Sequence, residues 1–184
     1  MKKNKKVIAG LLVAILFVSN TFLSEFSPFL MTAKAAWDGT VAEGFSQGDG
    51  TQESPYIIEN ESEFAYFGSL LSQGMDFSGM YLELHSDIDL SGQSWSFSST
   101  PFNGVLCGNG HTITIDRRLL GSVGTSGKLV LLNIKNINTS LCCAVCGTNR
   151  GIIESCGIWS QVDSDEVYKL GLVCEYRYGQ FINS

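Results

Sequence analysis

Six cysteines, Cys107, Cys142, Cys143, Cys146, Cys156 and Cys174, are the residues of this chain best suited to chemistry. A thiolate can ligate zinc, and two thiols held at the right separation can be joined as a disulfide. Cys143-x-x-Cys146 has zinc-knuckle spacing, but no second C-x-x-C and no H-x-x-x-H accompanies it, so half of a tetrahedral ligand set is missing. Cys146 and Cys174 occupy related, though not identical, positions in a repeat described below. Both can face an interior, where cysteine behaves as a small apolar residue. Three readings stay open: buried free thiols, which the residues favour, one or more disulfides, or a metal site.

The two histidines, His85 and His111, come next. His85 precedes Ser86 and Asp87, the residue types of a Ser-His-Asp triad. Sequence neighbours on a strand point to opposite faces and do not converge, so a structural role is expected. His111 sits in Gly-Asn-Gly-His-Thr-Ile, a corner between strands, where an imidazole can hydrogen-bond to turn backbone. Asp87-x-Asp89 and Asp163-x-Asp165-Glu166 are oxygen donors of the kind calcium takes, yet a solvated acidic loop is the plainer expectation for 163–166. Tyr168, Tyr176 and Tyr178, with Trp159, could stack on sugars or anchor a protein contact. Equally, Trp159 could continue an inward column. No catalytic, cofactor-binding or metal-ligating residue is assigned from the sequence.

What positions these groups follows from charge and periodicity. The chain has 184 residues, 44% hydrophobic and 16% charged, with a formal net charge of −6. Residues 1–35 carry five lysines against one glutamate. The remaining 149 carry 7 Lys/Arg against 17 Asp/Glu, a net of −10. So acidic a body has no footprint for nucleic-acid phosphates. Residues 1–35 read as a signal peptide, with Lys2, Lys3, Lys5 and Lys6 before an apolar run from Val7 to Val18, then Ala33-Lys34-Ala35. That run is short against the roughly 20 residues of a membrane span. Phe22, Phe26, Phe29 and Leu30 keep an uncleaved anchor as the alternative. The mature chain is expected to start at Ala36 or Trp37, to contain no membrane span, and to work outside the cytoplasm.

Residues 36–78 read as an N-terminal cap region. A Gly/Ser/Asp/Thr-rich loop covers 38–54, and Tyr56-Ile57-Ile58 forms a short strand. A helix at about 61–73 is expected, with Asn60 and Glu63 as N-cap and N3, Phe64, Phe67 and Leu71 as its apolar stripe, and Gly74 as its left-handed stop. Beyond it, residues 79–184 repeat. Gly79, Gly104, Gly127, Gly151 and Gly179 mark off segments of similar length, the last somewhat longer than the others. Each is followed two positions on by an apolar residue: Leu106, Leu129, Ile153 and Phe181, with Leu82 one position late. A coil of such a length cannot bury its own apolar face, but stacked coils can hydrogen-bond strand to strand. Glycine is expected where the chain turns tight corners. The expected fold is all-β: a parallel β-helix, or solenoid, with one N-terminal capping helix. An antiparallel sandwich is the alternative.

AVCGTNRGIIESC (144–156) and GLVCEYRYGQFINS (171–184) resemble the GLUG-motif repeat, which reads approximately G-L-V-G-x-N-x-G-x-I-x-N-C. Ala144, Cys146 and Ser155 depart from it, as does Cys174. WDGTVAEGFSQGDGTQESPYII (37–58), SGMYLELHSDIDLSG (78–92) and FNGVLCGNGHTI (102–113) are similar to segments of secreted repeat proteins of Gram-positive bacteria, with Cys107 where Asp is usual. The resemblance implies a right-handed parallel β-helix on an exported cell-surface protein, similar in shape to pectate lyases. Such repeats also accompany IgA-specific metallopeptidases outside their catalytic domain. Carbohydrate lyases of that shape use carboxylates with an Arg or Lys base, and Asp116, Arg117 and Arg118 offer the residue types without a matching template.

The last motif ends at Ser184 with no cap after it, whereas solenoid ends need capping. The sequence is therefore read as part of a longer or truncated protein whose open end pairs with further chain or a partner. The expected function is an exported, non-enzymatic, cofactor-free surface module for adhesion to a host or cell-surface protein or glycan. The alternatives are a pectate-lyase-like polysaccharide-active enzyme and the scaffold of a surface metallopeptidase.

Overall fold

The computed structural model describes residues 36–93, 98–138, 143–160 and 174–182. The expected signal peptide, Cys142 and the acidic run 163–166 lie outside them, as does Tyr168. Among the described residues, thirteen strands and one helix occur in this order: β1 (Tyr56–Ile58), α1 (Glu61–Ser72), β2 (Tyr81–Leu84), β3 (Ile88–Asp89), β4 (Val105–Cys107), β5 (Thr112–Ile115), β6 (Leu120–Val123), β7 (Lys128–Val130), β8 (Asn133–Asn136), β9 (Cys146–Asn149), β10 (Ile152–Glu154), β11 (Gly157–Ser160), β12 (Cys174–Arg177) and β13 (Gln180–Ile182). They form three sheets, β1-β2-β4-β7-β10-β13, β3-β5-β8-β11 and β6-β9-β12. Every pairing is parallel. Successive coils visit the three sheets in turn, so the chain is a parallel β-solenoid with a single helix. The antiparallel alternative is excluded.

Alternation along each strand sends one row of side chains inward. In the first sheet Leu82 pairs with Leu106, Leu106 with Leu129, Leu129 with Ile153 and Ile153 with Phe181. The first four are fully buried and Phe181 packs partly against them. This is the apolar column read from the repeat. Ile88, Ile113 and Ile134 form the matching column of the second sheet, continued by the half-buried Ile158. Leu120, Cys146 and Cys174 form that of the third. Phe102 heads the third sheet through a single bridge to Val123.

The helix forms where expected. Asn60 Oδ1 accepts the Glu63 amide at 3.0 Å, and Glu63 Oε2 returns to the Glu59 amide at 2.7 Å. These bonds satisfy donors around the first helical turn that would otherwise stay open. Gly74, at φ +97°, ends the helix. Phe64 and Phe67 face a buried aromatic cluster with Phe77 and Phe102, which joins α1 to the second coil.

The glycines differ from expectation in their reason. Gly104, Gly127, Gly151 and Gly179 do not need left-handed backbone; they stand where successive coils touch. A Cβ on Gly151 would lie 2.1 Å from the Gly127 carbonyl oxygen, and one on Gly179 would lie 2.1 Å from that of Gly151. The same carbonyls accept the next strand's amides, from Ile152 to Gly127 and from Gln180 to Gly151. Close stacking, not corner flexibility, therefore fixes glycine here. Gly79 is outside this column. Register places Met80 level with Gly104, so Leu82 is in step and Gly79 stands one residue early, with φ +74° and open space around it.

Left-handed backbone falls in the corner from the first sheet to the second, on Asn109 (φ +50°) and Gly110 (φ +80°), then Leu131 (φ +50°), then Ser155 (φ +52°). Leu131 is 48% exposed, so its side chain gains little from burial while its Cβ crowds the following carbonyl. Leu131→Asn should stabilise the fold by about 1 kcal/mol, or about 2–4 °C in Tm. Thermal melts followed by circular dichroism check this, and an unchanged or lower Tm would contradict it.

Candidate functional site

The solenoid positions the chemically able residues in three groups. The first is a buried thiol pair. Cys146 and Cys174 are directly paired residues on β9 and β12, so they hold the same coil position, not merely related ones. Their sulfurs lie 2.7 Å apart, with both side chains buried. Cys146 is pushed up by its hydrogen bond to Cys174 and by burial. Cys174 is drawn down, first by the hydrogen bond from Cys146 against the effect of burial, and further by the Arg177 and Arg118 charges. Cys143 is buried too, but no three His, Cys, Asp or Glu side chains gather as a metal set among the described residues. Cys156 is buried, which raises its thiol pKa, and Cys107 lies on the outer face of the first sheet at hydrogen-bond distance from Asn109.

The second group lines the corner after the first sheet. His85 follows β2 and pairs with Glu83 at 3.4 Å, while Asn109 donates to the same Glu83 oxygen. The Ser86 hydroxyl donates to the Glu59 carbonyl. Asp87 instead meets His111 at 3.3 Å and accepts the Thr112 amide at 2.9 Å. Ser86, His85 and Asp87 therefore turn to three different partners and build no triad. His111 is corrected on one point: its ring meets a carboxylate of the preceding coil, not turn backbone. Sequence could not show this, because Asp87 and His111 are remote along the chain and meet only through coil stacking. Asp89 accepts the Ser91 amide at 3.0 Å, so Asp87 and Asp89 serve separate local contacts. Asp116 pairs with Arg117 at 3.5 Å, whereas Arg118 lies against the Gly147 backbone of the third sheet.

Carboxylates also tie adjacent coils. Asp76 accepts the Ser78 amide, the Asn103 side-chain amide and the Ser78 hydroxyl, while the Asn103 backbone amide donates to the Asp76 carbonyl. These bonds, led by that from the Ser78 amide, hold the Asp76 carboxyl below the ordinary 3.8. A depressed folded-state value means the contribution is complete above the unfolded pKa and is lost as pH falls through the folded one. Tm should therefore hold steady down to about pH 4 and fall below it. Asp76→Asn should shrink the acid-side fall without adding one at neutral pH. Melts from the acid limb up to neutrality provide the check, and an identical acid limb in the variant would refute the assignment.

The third group is aromatic. Trp159 is 43% exposed, Tyr176 55% and Tyr178 72%. Trp159 points outward on β11 while its neighbour Ile158 continues the inward column, so the inward alternative for Trp159 is corrected. Tyr176 lies on β12 and Tyr178 just beyond it, with the Arg150 guanidinium 5.7 Å from the Tyr178 ring centre. Arg177 stands 5.8 Å from the Phe181 ring. Exposed rings are thus carried by β11, β12 and the residue after β12, and the Tyr178 ring lies beside a guanidinium; such rings can stack on planar or sugar surfaces. A cleft of about 210 Å³ at the other end is lined by Phe45, Tyr56, Tyr66, Leu70 and Met75, with Phe45 stacked on Tyr56.

No family model matches the chain, and no solved structure matches it. Two curated proteins are similar to it. One, named as a putative Gly-rich membrane protein of Evansella cellulosilytica, is 27% identical over 163 residues, covering 75% of this chain and 18% of that protein. The other, halomucin of Haloquadratum walsbyi, is 30% identical over 145 residues, covering 64% of this chain and 2% of that protein. The chain thus spans less than a fifth of the length of the curated relatives it matches. Among the described residues no helix is long and apolar enough to cross a membrane.

Proposed function

We propose that this chain is an exported surface module of the GLUG-repeat kind, a non-enzymatic solenoid that binds a glycan or protein through its outer face. The observation that carries this reading is the exposure of the Tyr176 and Tyr178 rings, with Arg150 beside Tyr178. Rings left in water offer apolar area that a partner can cover, and aromatic and arginine side chains dominate binding energy where they are covered. Support also comes from the two relatives, one named as a Gly-rich membrane protein and the other as a halomucin.

The test is binding of the immobilised full chain to panels of cell-surface glycans and proteins, with soluble products assayed in parallel. Tyr176→Ala with Tyr178→Ala should weaken a captured ligand at least about tenfold. Its Tm should stay within about 2 °C of the parent, because both rings are exposed. Cleavage of any panel polysaccharide would overturn the non-enzymatic reading. Protease shaving of intact cells tests display, since a surface module is digested while the cytoplasm is spared.

A further inference from the structure

We propose that Cys146 and Cys174 are a specific oxidation site, joined by a low-molecular-weight disulfide into a cross-coil bridge that fastens β12 to β9. Four observations carry this. The two residues are direct Cα partners on adjacent parallel strands. Strands so paired lie about 4.8 Å apart, within the roughly 4.4–6.8 Å that a disulfide spans. Their side chains point to the same interior and their sulfurs already touch. Of the other described cysteines, Cys107 meets Asn109 on the outer face, Cys156 meets the Glu154 and Leu129 carbonyls, and Cys143 precedes β9.

β12 pairs with β9 among the described residues, and both thiols are buried. Local opening of β12 exposes Cys174 to an oxidant, and closing returns it to Cys146.

The chemistry balances as two thiol–disulfide exchanges. The Cys174 thiolate attacks one sulfur of the oxidant RSSR, forming a mixed disulfide and releasing RS⁻. The Cys146 thiolate then attacks the Cys174 sulfur, forming the protein S–S bond and releasing the second RS⁻. Two protein thiols lose two protons and two electrons, and one RSSR is reduced to two RSH. Arg118 and Arg177 contribute positive charge near the attacking thiolate. The proposal draws on the exported reading only for where an oxidant is met, because reducing compartments disfavour such bonds.

The experiment uses the folded full chain, fully reduced, then incubated with oxidised glutathione, quenched in denaturant with iodoacetamide and digested with trypsin. The expected product is peptide 136–150 linked to peptide 170–177, two hydrogens lighter than the reduced pair. Fragmentation should place the link at Cys146. Cys107→Ser and Cys156→Ser should leave the yield unchanged, and Cys174→Ala should abolish it. Alkylation of both Cys146 and Cys174 overturns the proposal, as does a link at Cys142 or Cys143. The wild-type digest decides without any variant having to fold. Because the purified chain is used, failure here is distinguishable from failure of export, which cell shaving reads separately.

Discussion

Gly151→Ala is expected to lower Tm by about 6–12 °C, corresponding to about 3 kcal/mol, although it adds a single methyl group. The new Cβ would sit 2.1 Å from the Gly127 carbonyl oxygen, 2.5 Å from that of Gly124 and 2.9 Å from the Val123 side chain. Backbone carbonyls cannot swing aside as a lysine tip can. The Gly127 oxygen is also the acceptor for the Ile152 amide, so relief of the clash stretches a ladder hydrogen bond. The strain passes to both neighbouring coils, because Gly151 in turn accepts from Gln180. Gly44→Ala is the matched control, with ordinary backbone and open space at its Cβ, and should move Tm by no more than about 2 °C. Equal melting of the two variants would remove the steric account of the glycine column.

Phe67→Ala is expected to cost about 3–5 kcal/mol and to drop Tm by about 6–20 °C. Phe67 is fully buried, and its ring lies 5.4 Å from Phe64, 5.1 Å from Phe77 and 5.6 Å from Phe102, centre to centre. It touches all three other rings of the cluster. Its removal leaves a void between α1 and the second coil, and neighbours fixed on helix and strands collapse into such a void only in part. Phe64, Phe77 and Phe102 also lose the ring contacts that aromatic pairs add beyond area alone. Phe67→Leu refills part of the volume and should recover part of the loss. A calorimetric melt of the three proteins measures both steps. A loss under about 1 kcal/mol in the alanine variant would show that α1 is not docked through this ring.

The two variants probe different physics. Gly151→Ala adds volume where coils are in contact through backbone, and Phe67→Ala removes volume where the helix closes the apolar interior. A solenoid depends on both, because each coil is stabilised by its neighbours and an uncovered end leaves apolar side chains in water.

What the sequence determined by itself is whatever depends on local periodicity. The near-regular recurrence of glycine-led strands identifies the solenoid, and alternation assigns Leu106, Leu129 and Ile153 to its interior. Asn60, Glu63 and Gly74 delimit α1 through capping chemistry that acts within a few residues. Only the tertiary structure decided which residues of different coils meet. The step from the third coil to the fourth is shortest on the second sheet, from Ile113 to Ile134. It is longer on the first, from Leu106 to Leu129, and longest on the third, from Leu120 to Cys146. Corners of unequal length, Gly108–His111 against Leu131–Leu132, absorb the differences, so a period measured on one sheet does not transfer to the next. For that reason the direct pairing of Cys146 with Cys174 and the meeting of His111 with Asp87 were hidden in the sequence. Each is set by inter-coil register, which backbone hydrogen bonds fix only once the coils are stacked.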